Sequence, residues 1–144
     1  MKLNSNGYKE LHQREGLRLK PYLDTKGVPT IAMGNTYYLD GRKVTMNDEP
    51  LTIEEAGNLA TITADKFAFQ VGNLVKSKVN QNQFNALVSL AYNIGITAFR
   101  NSTVLRKVNI NHNDPAIKEA FLMWTKNPEL KGRRDSEVKQ YFTS

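Results

Sequence analysis

The chain of 144 residues has no cysteine, only two histidines and one tryptophan, and no stretch near the roughly 18 consecutive apolar residues of a membrane span. Without cysteine there is no disulfide scaffold, no thiolate metal site and no Cys nucleophile. His12 and His112 stand far apart, with no carboxylate at ligand spacing, so neither a metal nor any other cofactor is expected. Glycine-rich phosphate loops and a nucleophile elbow are also missing. Met1–Gly16 lacks the apolar core of a secretory signal, so self-export by that route is not expected unless a leader was removed ahead of Met1. What remains is the composition of a water-soluble globular chain, 40% hydrophobic and 24% charged, of the size of one domain with at most two lobes.

Its formal charge of +6 is unevenly placed. Residues 1–70 carry 9 basic and 9 acidic side chains, whereas residues 71–144 carry 11 basic and 5 acidic. The second half is therefore suited to a polyanion such as nucleic acid, anionic lipid or an acidic wall polymer. The plainer reading is solubility, since the basic residues are scattered and form no run.

Patterning predicts an α+β chain. A helix over Tyr8–Glu15, capped by Asn6 or Ser5, stops at Gly16 and leaves Glu15 at its C-terminal end. Between Pro21 and Thr45, turn residues punctuate short β-prone runs, with a strong turn signal at Leu39-Asp40-Gly41-Arg42, which predicts a small antiparallel sheet. Thr52-Ile53-Glu54-Glu55 has the form of a capping box. Ile53, Ala56, Ala60, Phe67, Val71 and Leu74 then recur at helical spacing, predicting one helix over 53–76. Shorter helices follow: one opened at Asn80 and closed by Gly95, one from Ser102 or Thr103, one from Asp114-Pro115 that carries Trp124 on its apolar face and stops at Pro128, and one from Arg133 to Phe142. The expected layout is a single catalytic domain, 1–144, with lobes over 1–52 and 77–144, joined by the helix. A crevice between them would be the default ligand site.

Glu15 and Asp24 stand apart from the other acidic residues. Cleavage of a glycosidic bond needs one protonated carboxyl to serve the leaving oxygen and one ionised carboxylate to activate water or stabilise positive charge on the sugar. The partial negative charge of a helix C-terminus disfavours an ionised Glu15, whereas Asp24 in a polar turn stays ionised. Taken alone the pair says little, because acidic residues at helix ends and in turns are common.

The surrounding residues say more. The segment Glu15-Gly16-Leu17-Arg18-Leu19-Lys20-Pro21-Tyr22-Leu23-Asp24, continuing to Thr30-Ile31, resembles the active-site segment of the phage-type lysozymes, or endolysins, whose pattern of Glu, eight residues, Asp, five residues, Thr is matched by Glu15, Asp24 and Thr30. The resemblance continues through Phe84–Gly95, Ala98–Thr103, Trp124 and Gly132-Arg133-Arg134 with Glu137, and so spans nearly the whole chain in order. It implies the lysozyme-like fold and a muramidase that hydrolyses the β-1,4 bond between N-acetylmuramic acid and N-acetylglucosamine. Glu15 would be the general acid, with Asp24 and Thr30 positioning water and stabilising the transition state, as in inverting members, although retention stays open. An arginine at the start of the last helix, Arg133 or else Arg134, would pair with Glu15, favouring its ionised form against the helix-end effect. Tyr92, Asn93 and Ser102 match saccharide-facing positions, with a core role for Tyr92 and a helix cap for Ser102 as plain alternatives; Trp124 is assigned to the core.

Two departures stand out. The family commonly reads Thr-Ile-Gly-x-Gly-His where this chain has Thr30-Ile31-Ala32-Met33-Gly34-Asn35. That His usually makes a polar contact between sheet and helix, so its replacement should touch local stability or pH dependence more than chemistry. The segment before the paired arginines is also compressed. The resemblance further implies peptidoglycan as partner, a monomer without stable membrane association or nucleic acid, storage in the host cytoplasm, and passage to the periplasm and wall through a hole made by a holin. Alternatives are a catalytically altered peptidoglycan binder, a lytic transglycosylase and, from the basic half, a nucleic-acid-binding protein.

Overall fold

A computed structural model describes all residues, Met1–Ser144. Helix α1 (Ser5–Glu15) begins three residues earlier than its apolar pattern suggests, because Asn4 Oδ1 accepts the Gly7 N–H at 2.9 Å and so caps the first turn. It ends where Gly16 takes φ +76°, a left-handed conformation that glycine adopts without penalty. The chain then runs through β1 (Arg18–Leu23), reverses over Asp24–Val28 and returns as β2 (Pro29–Ala32), antiparallel, with Tyr22 opposite Thr30 and Arg18 opposite Ala32 across an irregular register. The second predicted turn is also present: the Tyr38 N–H donates to the Arg42 carbonyl, and an isolated bridge pairs Tyr37 with Lys43.

Helix α2 (Ile53–Leu74) carries the expected capping box, with Glu55 N–H donating to Thr52 Oγ1 at 3.1 Å and Thr52 N–H to Glu55 Oε1 at 2.9 Å. Its buried stripe is Ala56, Leu59, Ala60, Ala64, Ala68 and Val71. Ile53, expected on that stripe, is 72% exposed in the first turn, and Phe67 and Leu74 are half-buried. Small side chains therefore set the contact face, and the larger apolar residues lie beside it.

The chain divides into two compact units, Tyr8–Asp65 on one hand and Met1–Gly7 with Lys66–Ser144 on the other, so the division falls inside α2 and the first seven residues belong with the C-terminal half. In the second unit α3 (Gln81–Ile94) is the central element, buried from Gln83 to Ala91 and packed against α7 (Pro128–Tyr141). Its capping box at Asn80 and Gln83 is complete, and Gly95 at φ +92° ends it. A one-turn helix, α4 (Ile96–Arg100), intervenes before α5 (Thr103–Ile110), whose cap is Ser102.

The C-terminal expectations need two corrections. Helix α6 (Ile117–Leu122) ends six residues before Pro128, leaving Trp124 outside it and half-buried instead of in the core. Pro128 does not stop a helix but opens α7, where its missing N–H is one that would lack an intrahelical partner anyway. The last helix thus starts five residues before Arg133, which sets both arginines well inside it.

At Ala32 the backbone has φ +59°, the only non-glycine residue at positive φ. A left-handed residue costs an L-amino acid about 1–2 kcal/mol. The Ala32 methyl lies in the core, 1% exposed, and its burial returns about 0.8 kcal/mol. At Ala32, where the resembled family commonly has glycine, the second quantity offsets much of the first.

Candidate active site

Glu15, Asp24 and Thr30 all lie in the unit formed by Tyr8–Asp65. Glu15 is half-buried in the last turn of α1, as its place before Gly16 requires. Asp24 closes the β1–β2 reversal: its Oδ1 accepts the N–H groups of Lys26 and Val28, both at 2.8 Å, while its own N–H donates to the Val28 carbonyl at 3.0 Å. An Asx turn of this kind fixes the carboxylate through its own backbone neighbours. Oδ2 accepts no hydrogen bond from the protein, so half of a pinned, half-buried carboxylate retains its acceptor capacity. Thr30 stands on β2 opposite Tyr22, 2% exposed, with its hydroxyl donating to the Val28 carbonyl at 2.8 Å. Val28 is thus the shared anchor, receiving both the Asp24 N–H and the Thr30 hydroxyl and giving its N–H to Asp24.

The residue that replaces the family His also has a defined place. Asn35 Nδ2 donates to the Leu59 carbonyl at 3.1 Å and to Thr63 Oγ1 at 2.9 Å, both on α2, and Oδ1 accepts the Met33 N–H at 3.2 Å. The polar contact between sheet and helix is kept by an amide.

In the second unit, α7 presents Arg133, Arg134 and Glu137 to α3. Glu137 is fully buried. It accepts from Arg134 Nη1, from Arg133 Nε at 3.1 Å and from the Ser89 hydroxyl at 2.5 Å. Arg133 Nη2 also donates to the Ser89 carbonyl at 2.9 Å. Arg134, itself fully buried, donates to Asn93 Oδ1 and, through Nε, to the Trp124 carbonyl at 3.1 Å. Two guanidinium groups thus converge on one buried carboxylate. The family resemblance points to Arg133 and Asn93 but gives no role to Glu137 or Ser89; the i, i+4 spacing of Arg133 and Glu137 is the one local hint.

Of the proposed saccharide-facing residues, Asn93 is exposed, and Tyr92 is half-buried with its ring 4.9 Å from that of Phe67. Ser102 is 4% exposed; its Oγ accepts the Leu105 N–H at 3.1 Å and donates to the Phe99 carbonyl at 2.7 Å, which spends the hydroxyl on capping α5. A cavity of about 520 Å³ lies elsewhere in the Tyr8–Asp65 unit, beneath the Tyr38–Arg42 turn and the first turns of α2. The carboxylates on its rim are largely occupied with local structure: Asp48 accepts from Tyr38 and Thr45, Asp40 pairs with Arg42, and Glu55 caps α2.

The phage lysozyme family profile matches residues 12–137. Among curated proteins, the endolysin of Salmonella phage P22 is 41% identical over 126 residues, covering 88% of this chain and 85% of the relative. An endolysin from the Acyrthosiphon pisum secondary endosymbiont phage 1 is 33% identical over 135 residues, covering 93% and 86%. A crystal structure of P22 lysozyme superposes with a TM-score of 0.88 at 38% identity, covering 99% of both chains. The muramidase domain of SpmX from Asticaccaulis excentricus gives 0.81 at 31% identity, again with 99% of each chain covered. With the carboxylate, threonine and arginine motifs set on the matching fold, the chain belongs to the phage lysozyme family and is a glycoside hydrolase of the endolysin kind.

Proposed function

We propose that this lysozyme cleaves the β-1,4 bond between N-acetylmuramic acid and N-acetylglucosamine in bacterial peptidoglycan, with Glu15 as general acid and Asp24 and Thr30 serving the attacking water. Glu15 gives its proton to the glycosidic oxygen as the bond to the anomeric carbon breaks, and positive charge develops on the sugar ring. Asp24 stabilises that charge and takes a proton from the water whose oxygen bonds to the anomeric carbon. Thr30 has donated its hydroxyl hydrogen to Val28, so its oxygen is left as an acceptor that orients the water. The observation that carries this reading is the Asp24 carboxylate, fixed by two backbone N–H groups at Oδ1 and open at Oδ2.

Tyr92 and Asn93 contact the saccharide in this reading. Ser102 supports them from the α5 cap, without donating to the sugar. Arg133, held by Glu137 and Ser89, is the arginine that the family pattern couples to the catalytic acid. The protein works as a monomer, is stored in the host cytoplasm and reaches the periplasm through a holin-made opening.

Purified wild-type protein and Glu15→Gln, incubated with isolated Gram-negative sacculi, test the assignment. Wild type should release muropeptides with free reducing ends, and Glu15→Gln should lose about 10²–10⁴-fold in rate while keeping its circular dichroism melt. Wild-type turnover by Glu15→Gln, or anhydro products from the wild type, would overturn the mechanism.

A further inference from the structure

Two residues beyond Thr30 the backbone takes its one positive φ at a non-glycine residue. Ile31 and Asn35 exchange both backbone hydrogen bonds, Ile31 N–H to the Asn35 carbonyl at 2.8 Å and Asn35 N–H to the Ile31 carbonyl at 2.9 Å, so residues 32–34 form a closed three-residue loop. Within that loop Ala32 sits at φ +59° and Gly34 at φ +85°. Such a conformation persists at a non-glycine residue only when its surroundings over-determine it. The Asn35 side chain does so. Its oxygen holds the Met33 N–H inside the loop, and its amide nitrogen fastens the loop to α2 through Leu59 and Thr63. Ile31 is fully buried and Asn35 is 9% exposed, so water does not readily replace these bonds.

We propose that Asn35 is a positioning residue for Thr30, acting by holding Ala32 in its left-handed conformation; this rests on the muramidase reading above. Thr30 is located on one side by its pairing with Tyr22 on β1. On the other side it is joined through Ile31 to the loop that Asn35 closes. If the tie to α2 is cut, Ala32 can relax toward a right-handed conformation, and the shift passes through Ile31 to the threonine oxygen. Glycine at position 32 has no such drive, because positive φ carries no steric penalty for it.

The test is a cycle of wild type, Asn35→Ala, Ala32→Gly and the double variant. Turnover is measured on purified peptidoglycan well below each chain's melting temperature. Asn35→Ala should lower kcat by about 10-fold or more with KM within about twofold, since small misplacements of positioning groups cost up to about 10²-fold. In the Ala32→Gly background the same substitution should cost kcat no more than about threefold, because the coupled pair is non-additive. Asn35→Asp keeps the acceptor for Met33 but loses the donor to Leu59, and should resemble Asn35→Ala in kcat. A fully folded Asn35→Ala with wild-type kcat, or equal kcat losses in the two backgrounds, overturns the proposal while leaving the muramidase reading intact. An inactive wild type overturns that reading itself.

Discussion

Asp24 and Glu137 are both carboxylates on which several donors converge, yet they are held in opposite ways. Asp24 is half-buried and takes two backbone N–H groups from residues two and four positions along the chain. Glu137 is wholly buried and takes side-chain donors from its own helix and from Ser89, 48 positions away. The half-buried carboxylate is fixed by its neighbours in sequence, which take up one of its two oxygens. A carboxylate that organises other side chains can be enclosed when a buried guanidinium, here that of Arg134, meets it.

The largest expected effect separates those two roles. Glu137→Ala should destabilise the protein by about 3–5 kcal/mol in urea melts, because it removes a fully buried carboxylate that both arginines share. A loss below about 1 kcal/mol would place the arginines in the regime of solvated surface pairs and dissolve the contrast with Asp24. Asp24 is the complementary case. Asp24→Asn keeps an oxygen acceptor for Lys26 and Val28 and should leave the melt nearly unchanged, but should reduce peptidoglycan turnover by about 10²-fold, within the range of a lost acid–base group. Asp24→Ala should lose turnover equally and also about 1–2 kcal/mol of stability, having lost the turn bonds. Equal stability for the two variants would show that the turn does not depend on the side chain.

The same contrast explains how much could be read from the sequence. Thr52 with Glu55, Asn80 with Gln83, Gly16 and Gly95 are devices whose parts lie within a few residues, and each forms as its spacing implies. The Glu15, Asp24 and Thr30 motif is equally compact in sequence, so its placement on a helix end and a hairpin was legible. The ties from Ser89 to Glu137 and from Arg134 to Asn93 join positions more than forty apart, and nothing local announces them. Pro128 is ambiguous for a different reason: a proline is compatible with the end of one helix and with the first turn of the next, and only the early end of α6 decides between them. Periodicity puts Ile53 on the buried stripe because it ignores that a first-turn residue can project beyond the packed face.

The intermediate-sized prediction concerns a local device. Thr52→Ala removes the side-chain half of the α2 capping box and should cost about 1 kcal/mol, far less than Glu137→Ala. A cost as large as that of Glu137→Ala would mean that local caps and long-range ionic networks are not separable in this fold.

The smallest effect is a pH dependence in α1. Burial pushes His12 below its ordinary value of 6.5, and its Nε2 lies buried without a hydrogen-bond partner. The fold therefore favours the neutral ring, whereas the unfolded chain protonates it near its ordinary value. The resulting stability is fully present above 6.5 and is lost as pH falls through that value toward the lower folded one. Asp48 acts in a separate window: hydrogen bonds from Thr45 and Tyr38 hold it down at about 2, so its contribution is retained until the solution is far more acidic. Chemical melts between about pH 7 and 5 isolate the histidine, and His12→Gln should flatten the decline in wild-type stability across that interval. An unchanged slope would assign the decline to groups other than the ring on α1.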